Sequence, residues 1–357
     1  MKIGIIGLGL IGGSFAIEAK KHVSPSKLFG NDKNLENEKK ALELGLIDEI
    51  LKKSDFFQMD VILLAIPVDA ALDLIDDLLD QINDNTLLID VGSTKSMICE
   101  KVALHPRRNQ FLATHPIAGT EFSGPLAAFE SLFIGKSQIL CETNKTRPDL
   151  LEWAVNWFKN INMRLREMDP KEHDRHIAYV SHLSHISSFM LGKTVMEKEK
   201  DEKAIFDMAG SGFESTVRLA KSSPDMWTPI FKQNQENILE VLDQYISNLQ
   251  EFKSLMKQKD YDAILVATGV YKAREIDLPG NDLENIFPAM EFLTASNKKG
   301  LGDKVELFDN GKLNAEGKNI VVIGGGDTAM DCVRTVSYTH LRAHETVLDL
   351  VCRLLLE

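Results

Sequence analysis

Along the first 147 residues, apolar runs alternate with amphipathic stretches, and the alternation predicts strand and helix in turn. KIGII reads as a short strand and IGGSFAIEAKK as the helix after it. KLFGND is a second strand, and NLENEKKALELG a second helix closed by Gly45. VILLAI, bounded by Pro67, is a third strand backed by the helix VDAALDLIDDLLDQI. TLLIDV is a fourth, followed by the helix TKSMICEKV, and FLATHP and SQILC finish the sheet. Unbroken apolar strands between amphipathic helices indicate a parallel sheet covered on both faces, a doubly wound α/β arrangement. From about Pro148 the periodicity turns helical over 148–160, 170–199, 201–209 and 224–256, with only MRLREM suggesting a strand. The pattern predicts an α/β domain over 1–147 and an all-helical domain over 148–258. Near Lys257 the texture shifts again, to strand and loop, and KNIVVIGGGDTAMDCV opens a second strand-turn-helix.

Composition narrows the setting. A chain of 357 residues exceeds one ordinary hydrophobic core, so several domains are expected. A formal net charge of -12 disfavours nucleic acid and anionic membrane, both of which need a basic footprint. Cys99, Cys141, Cys332 and Cys352 form no C-x-x-C pair, and few, scattered cysteines suit a reducing cytoplasm. The glycine-broken N-terminus reads as a buried strand and turn rather than a leader, and no apolar run approaches the roughly 18 residues of a membrane span.

Gly7, Gly9 and Gly12 form G-x-G-x-x-G directly after the first strand and at the start of a helix, the context that gives the pattern meaning. There glycine permits a tight turn and close backbone approach to a pyrophosphate, while the helix N-terminus offers free N–H groups. Asp32 ends the second strand, where a carboxylate accepts hydrogen bonds from the ribose hydroxyls of NAD and repels the 2′-phosphate of NADP. The first domain is thus a Rossmann-type NAD-binding domain.

Three segments carry candidate chemistry. D90-V-G-S-T-K95 and T114-H-P-I-A-G-T-E-F-S-G124 follow strands, at the sheet edge where such folds bind ligands. His115 is the candidate base, since imidazole can accept a hydroxyl proton as hydride leaves the same carbon. The alternative is that it caps a turn before Pro116. Ser93, Lys95 and Glu121 stand nearby, able to orient the imidazole and bind polar substrate groups. The third segment is H173-D-R-H-I-A-Y-V-S-H-L-S-H185. On a continuous helix Asp174 and His185 return to one face about 16 Å apart, lining one cleft. His173, His176, His182 and His185 spread around that helix, which disfavours a metal site, and no H-E-x-x-H is present. Further on, in G210-S-G-F-E-S-T-V-R218, Arg218 is either a bidentate carboxylate clamp or a surface partner of Glu214.

Together these segments resemble the prephenate dehydrogenase family of tyrosine biosynthesis over residues 1 to about 257. The specific pieces are T-H-P-I-A-G-T-E-x-S-G, H-D-x-x-x-A-x-V-S-H-L-x-H and G-x-x-x-x-x-R-I/L-A-x-S-x-P-x-M-W. The resemblance implies oxidative decarboxylation of prephenate with NAD by a homodimer. His115 would hydrogen-bond the ring hydroxyl and Arg218 a substrate carboxylate. Ser93, Glu121, Asp174, His185 and Trp227 fall on family active-site positions. Glu214 departs from relatives that carry a basic residue there. Arogenate dehydrogenase is the alternative enzyme. A non-catalytic NAD(H) sensor is the alternative class, and His115 together with Arg218 argues against it.

Residues 259–335 resemble part of the glutamate synthase small subunit, through YDAILVATGVYKAREIDLPG and KNIVVIGGGDTAMDCVRT, with Gly324, Gly326 and Ala329 as G-x-G-x-x-A. The cysteine clusters that this family carries upstream are absent. Residues 336–357 resemble translated adapter sequence. The join reads as a chimera of coding sequences, or as a natural fusion whose frame was lost near the end.

Overall fold

The structure, a computed structural model, describes residues 1–257 apart from 25, 121, 201 and 203, together with 287, 289–300 and 302–313. The apolar runs become β1 (Lys2–Ile6), β2 (Lys27–Asn31), β3 (Glu49–Ile50), β4 (Val61–Leu64), β5 (Leu87–Asp90), β6 (Phe111–Pro116), β7 (Ser137–Cys141) and β8 (Arg164–Met168). They form one sheet in the order β3-β2-β1-β4-β5-β6-β7-β8. Pairing is parallel from β3 through to β6, β7 is antiparallel to β6, and β8 is parallel to β7. The order reverses between β1 and β4, the switch point at which open sheets bind ligands.

Helices α1 (Leu10–His22), α2 (Leu35–Glu43), α3 (Val68–Gln81), α4 (Ser96–Val102) and α5 (Pro148–Asn160) accompany the strands. Alternate residues of each strand feed two cores, as the period of two requires. Ile3, Ile5, Leu63, Ile89 and Leu112 meet Phe15, Ala16 and Ala19 of α1 on one side. Ile62, Leu64, Leu88, Phe111 and Ala113 meet Ile75, Leu78 and Leu79 of α3 on the other. Helix α2 starts where Asn34 accepts the Glu36 N–H at 3.0 Å, a side-chain cap on an otherwise orphan donor.

Two expectations change here. The sequence pattern places the end of the sheet domain at 147, yet α5 lies on the first core through Leu150, Ala154, Trp157 and Phe158. MRLREM becomes β8, the edge strand beside β7, so the sheet layer runs to Met168. Periodicity shows that 148–160 has an apolar face but not what covers it. The long helix expected over 170–199 is also interrupted. It consists of α6 (Pro170–Ile177), one wide π turn at Ala178–His182, and α7 (Leu183–Glu199). The helical part continues through α8 (Ser211–Val217), α9 (Pro224–Gln233) and α10 (Gln235–Lys257).

The chain divides into two units, Met1–Gln258 and Lys259–Glu357. Within the second, the described residues form α11 (Ala289–Gly300) and α12 (Glu306–Asp309), with the Phe292 and Phe308 rings 6.2 Å apart. The strand-and-loop expectation after Lys257 is corrected at residues 289–293, which are helical as the start of α11, while residues 259–286, the second glycine turn and residues 336–357 lie outside the described residues. No helix among the described residues is long and apolar enough to cross a membrane.

Candidate active site

The glycine turn is built as its sequence requires. Gly7 has φ +96°, and a Cβ there would lie 2.2 Å from the Ala65 carbonyl oxygen. A Cβ on Gly12 would lie 1.9 Å from the Gly7 carbonyl oxygen. Both positions are closed to any side chain by the backbone itself. Gly9, by contrast, faces open space with nothing within 4 Å. Asp32, just past β2, accepts the Leu8 N–H on Oδ2 at 2.8 Å and the Asn34 N–H on Oδ1 at 2.9 Å. The carboxylate is thereby fixed beside the turn while its residue stays half-exposed. An open glycine at a helix start and an anchored carboxylate one strand over fit a dinucleotide.

The second cluster lies at the carboxyl ends of β5 and β6. His115, half-buried on β6, holds its Nδ1 2.9 Å from His173 Nε2. His173 Nδ1 lies 2.8 Å from Asp174 Oδ1. Asp174 also accepts the Lys95 N–H on Oδ1 and the Ser96 N–H on Oδ2, each at 2.8 Å, tying α6 to the first turn of α4. Lys95 Nζ is fully buried between the Asp90 carboxylate and the Thr114 carbonyl, 2.8 Å away, which pins the β5 turn to β6. Asn234, at the break between α9 and α10, donates to the Asp174 carbonyl at 2.6 Å and lies 3.1 Å from His182 Nδ1. Gln233 accepts the Thr94 hydroxyl at 2.6 Å. Sheet and helical layers thus close on one set of polar groups.

The electrostatics favour a neutral His115. Burial holds the His115 imidazole well below its ordinary 6.5, and His173, Lys95 and His182 push it further down. His182, fully buried, is pushed down to about 4, again by burial first. Burial works against ionisation of Asp174. The hydrogen bonds from His173, Ser96 and Lys95 outweigh it and hold the carboxyl below the usual range.

Ser93 sits half-buried in the β5–α4 turn, two residues before Lys95, with no hydrogen-bond partner for its hydroxyl among the described residues. His185 stacks on Trp227 with ring centroids 3.6 Å apart. Trp227 is buried with Val68 and Ile230 and partly buried Phe189 and Phe231, and its Nε1 has no hydrogen-bond partner among the described residues. Burial lowers the His185 pKa, its hydrogen bond to the Ser181 carbonyl works against this, and the charge of Arg218 lowers it further. Arg218 itself is exposed at the end of α8. Glu121 lies outside the described residues.

One expectation needs correction. Asp174 and His185 do not share a continuous helix face, because the π turn intervenes and the two side chains reach different neighbours. Both carboxylate oxygens of Asp174 are taken by protein donors. The four histidines of this segment likewise diverge. His173 joins His115 and Asp174, His182 meets Asn234, His185 meets Trp227, and His176 is exposed. His173, Asn234 and Gln233 are the members that spacing missed. The H-D pair opening the helix was the available signal for His173, while the other two look like ordinary helix residues in the sequence.

Comparison with known proteins settles the family. The family model described as "Prephenate dehydrogenase, nucleotide-binding domain" matches residues 15–167, and "Prephenate dehydrogenase, dimerization domain" matches 169–268. The prephenate dehydrogenase of Bacillus subtilis is 34% identical over 263 residues, 72% of this chain and 70% of that protein. The chain belongs to the prephenate dehydrogenase family. A crystal structure of the A. aeolicus prephenate dehydrogenase with hydroxyphenyl propionate and NAD+ matches at 29% identity and TM-score 0.66, covering 72% of this chain and 91% of that one. Synechocystis arogenate dehydrogenase matches at 27% identity and TM-score 0.60, covering 73% and 94%. The C-terminal region is similar to a different protein, the glutamate synthase [NADPH] small chain of Azospirillum brasilense. That identity is 63% over 78 residues, which span 16% of that protein. The prephenate dehydrogenase part is therefore followed by a stretch similar to a short portion of a different protein.

Proposed function

We propose that residues 1 to about 257 oxidise and decarboxylate prephenate to 4-hydroxyphenylpyruvate with NAD, in the cytoplasm and for tyrosine synthesis. The observation that carries this reading is a half-buried imidazole, His115, at the carboxyl end of β6, in contact with His173 and through it Asp174 of α6, on a sheet that also carries a dinucleotide turn. Gly7, Gly9 and Gly12 would cradle the pyrophosphate and Asp32 would hold the ribose. The cofactor, when bound, supplies the hydride acceptor.

The chain's own residues do the rest. His115 removes the proton of the C4 hydroxyl and returns it to the phenol when loss of CO2 makes the ring aromatic. Ser93, with its uncommitted hydroxyl, binds the same oxygen. Arg218 and His185 receive substrate carboxylates, Trp227 forms the wall behind His185, and Glu121 flanks the entry. Protein groups replace water around the ring, so the reaction is held in one orientation. The second domain carries exposed apolar side chains on α7 (Met190, Leu191, Met196) and α10 (Leu239, Ile246, Leu249, Phe252), a surface that suits a homodimer.

The likeness to Synechocystis arogenate dehydrogenase favours a second reading, in which an amino group replaces the keto group of the substrate. Rates of NAD reduction with prephenate and with arogenate separate the two. Faster turnover of arogenate selects the second, and turnover of neither rejects both.

A further inference from the structure

We infer that His173 and Asp174 form a fixed acceptor pair behind His115, which leaves His115 Nε2 bare as the base and takes the positive charge onto the second imidazole when a substrate proton is removed. The inference rests on the proposed reading for its substrate but on hydrogen-bond accounting for its chemistry.

An ionised carboxylate only accepts, and Asp174 already accepts the Lys95 and Ser96 N–H groups. His173 Nδ1, at 2.8 Å, must therefore donate to it. A neutral His173 that donates from Nδ1 has a bare Nε2. The contact from that Nε2 to His115 Nδ1, at 2.9 Å, then requires His115 to donate. A neutral His115 that donates from Nδ1 has a bare Nε2, which has no partner among the described residues. One buried carboxylate thus fixes two tautomers in series.

The same chain of contacts can move charge. When His115 Nε2 binds the hydroxyl proton, the ring is briefly an imidazolium. Transfer of its Nδ1 proton to His173 Nε2 leaves His115 neutral and His173 cationic. The protons balance: one enters at Nε2, one crosses between the rings, and both movements reverse when the phenol forms. His173 is the better seat for the charge, because it contacts the Asp174 carboxylate directly. His115 instead feels the charge of Lys95, which donates to the Thr114 carbonyl next to it, and of His182, both of which disfavour a cation there. Lys95 is itself paired with Asp90 of β5, so the anion free to balance a new cation is Asp174. His173 is 2% exposed and does not compete for water. It is a positioning residue, acting on substrate through His115.

Two measurements on the full chain test this. In the parent protein labelled with 15N-histidine and loaded with NAD, two-bond proton–nitrogen spectra assign each tautomer without any turnover. The expected result is protonated Nδ1 and bare Nε2 on both His115 and His173, and a proton on His115 Nε2 would overturn the inference. The second is His173→Gln, whose amide oxygen can accept from His115 Nδ1 but cannot take a proton. Its kcat should fall about tenfold or more with KM within about threefold of the parent. Unchanged kcat would remove the charge-accepting role. Failure of the parent to oxidise either substrate would reject the proposed function, while the tautomer spectra would still decide the inference.

Discussion

Replacing Gly12 and Gly9 separately by alanine should divide the glycine turn into a part that folds and a part that binds. At Gly12 the new methyl carbon would stand 1.9 Å from the Gly7 carbonyl oxygen and 3.2 Å from Ile5 Cγ2. Backbone cannot rotate away as a flexible side chain could. Restoring ordinary contact needs a shift of about 1.5 Å, and overpacking of a filled interior costs about 1–3 kcal/mol. For a unit of this size that is about 2–12 °C in Tm. At Gly9 the methyl would meet nothing within 4 Å, and the residue's φ of -77° suits any L-amino acid, so Tm should stay within about 1 °C. The added carbon would instead stand where a pyrophosphate must approach the first N–H groups of α1. Losing one charge-assisted hydrogen bond of about 1.5–3 kcal/mol raises Kd for NAD about 10- to 100-fold. Differential scanning calorimetry and NAD titration by calorimetry measure the two effects. Gly9→Ala binding NAD like the parent would refute the assignment of the open face to the cofactor, and Gly12→Ala with parental Tm would refute the close packing assigned to Gly12.

Three further outcomes follow from the site and the domain layout. His115→Asn should lower kcat about 10²–10⁴-fold with NAD affinity unchanged, and in the parent the acid limb of the rate profile should lie below pH 6.5, because the depressed pKa keeps the base neutral as pH falls through that value; parental kcat in the variant would make His115 a turn residue. His182 is held near 4 in the folded state against 6.5, so the unfolded chain takes up its proton first, and stability present above pH 6.5 should drain by about 2–3 kcal/mol as pH falls toward 4; urea titrations in which His182→Gln shows the same acid loss as the parent would contradict this. A chain ending at Lys257 should keep full activity, since the glycine turn, the His115–His173–Asp174 group and Arg218 all precede that point; loss of activity on trimming would assign a working role to the remainder.

Local rules revealed much of this molecule, and the misses have physical causes. β6 and β7 match FLATHP and SQILC residue for residue, because buried strands are short apolar runs with sharp edges. The two-residue β3 has no such run and was invisible. Helix α5 was assigned to the wrong layer because an amphipathic face does not name its partner, and here the partner is Phe15, far away in sequence. The π turn at Ala178–His182 escaped because a regular 3.6-residue period was assumed across it. That assumption put Asp174 in a substrate cleft with His185, whereas the structure turns Asp174 toward the start of α4. His115, Lys95 and the glycine turn are legible since each lies at or just past the carboxyl end of a strand. The contribution of Asn234 was not, because it depends on a contact with Asp174 and His182 across 60 and 52 residues.

The most direct test is the reaction itself. The purified full chain, given NAD and prephenate, should produce NADH, CO2 and 4-hydroxyphenylpyruvate in equal amounts, with kcat/KM for NAD well above that for NADP because Asp32 repels a 2′-phosphate. No NADH with prephenate, or NADH formed only from arogenate, would contradict the account.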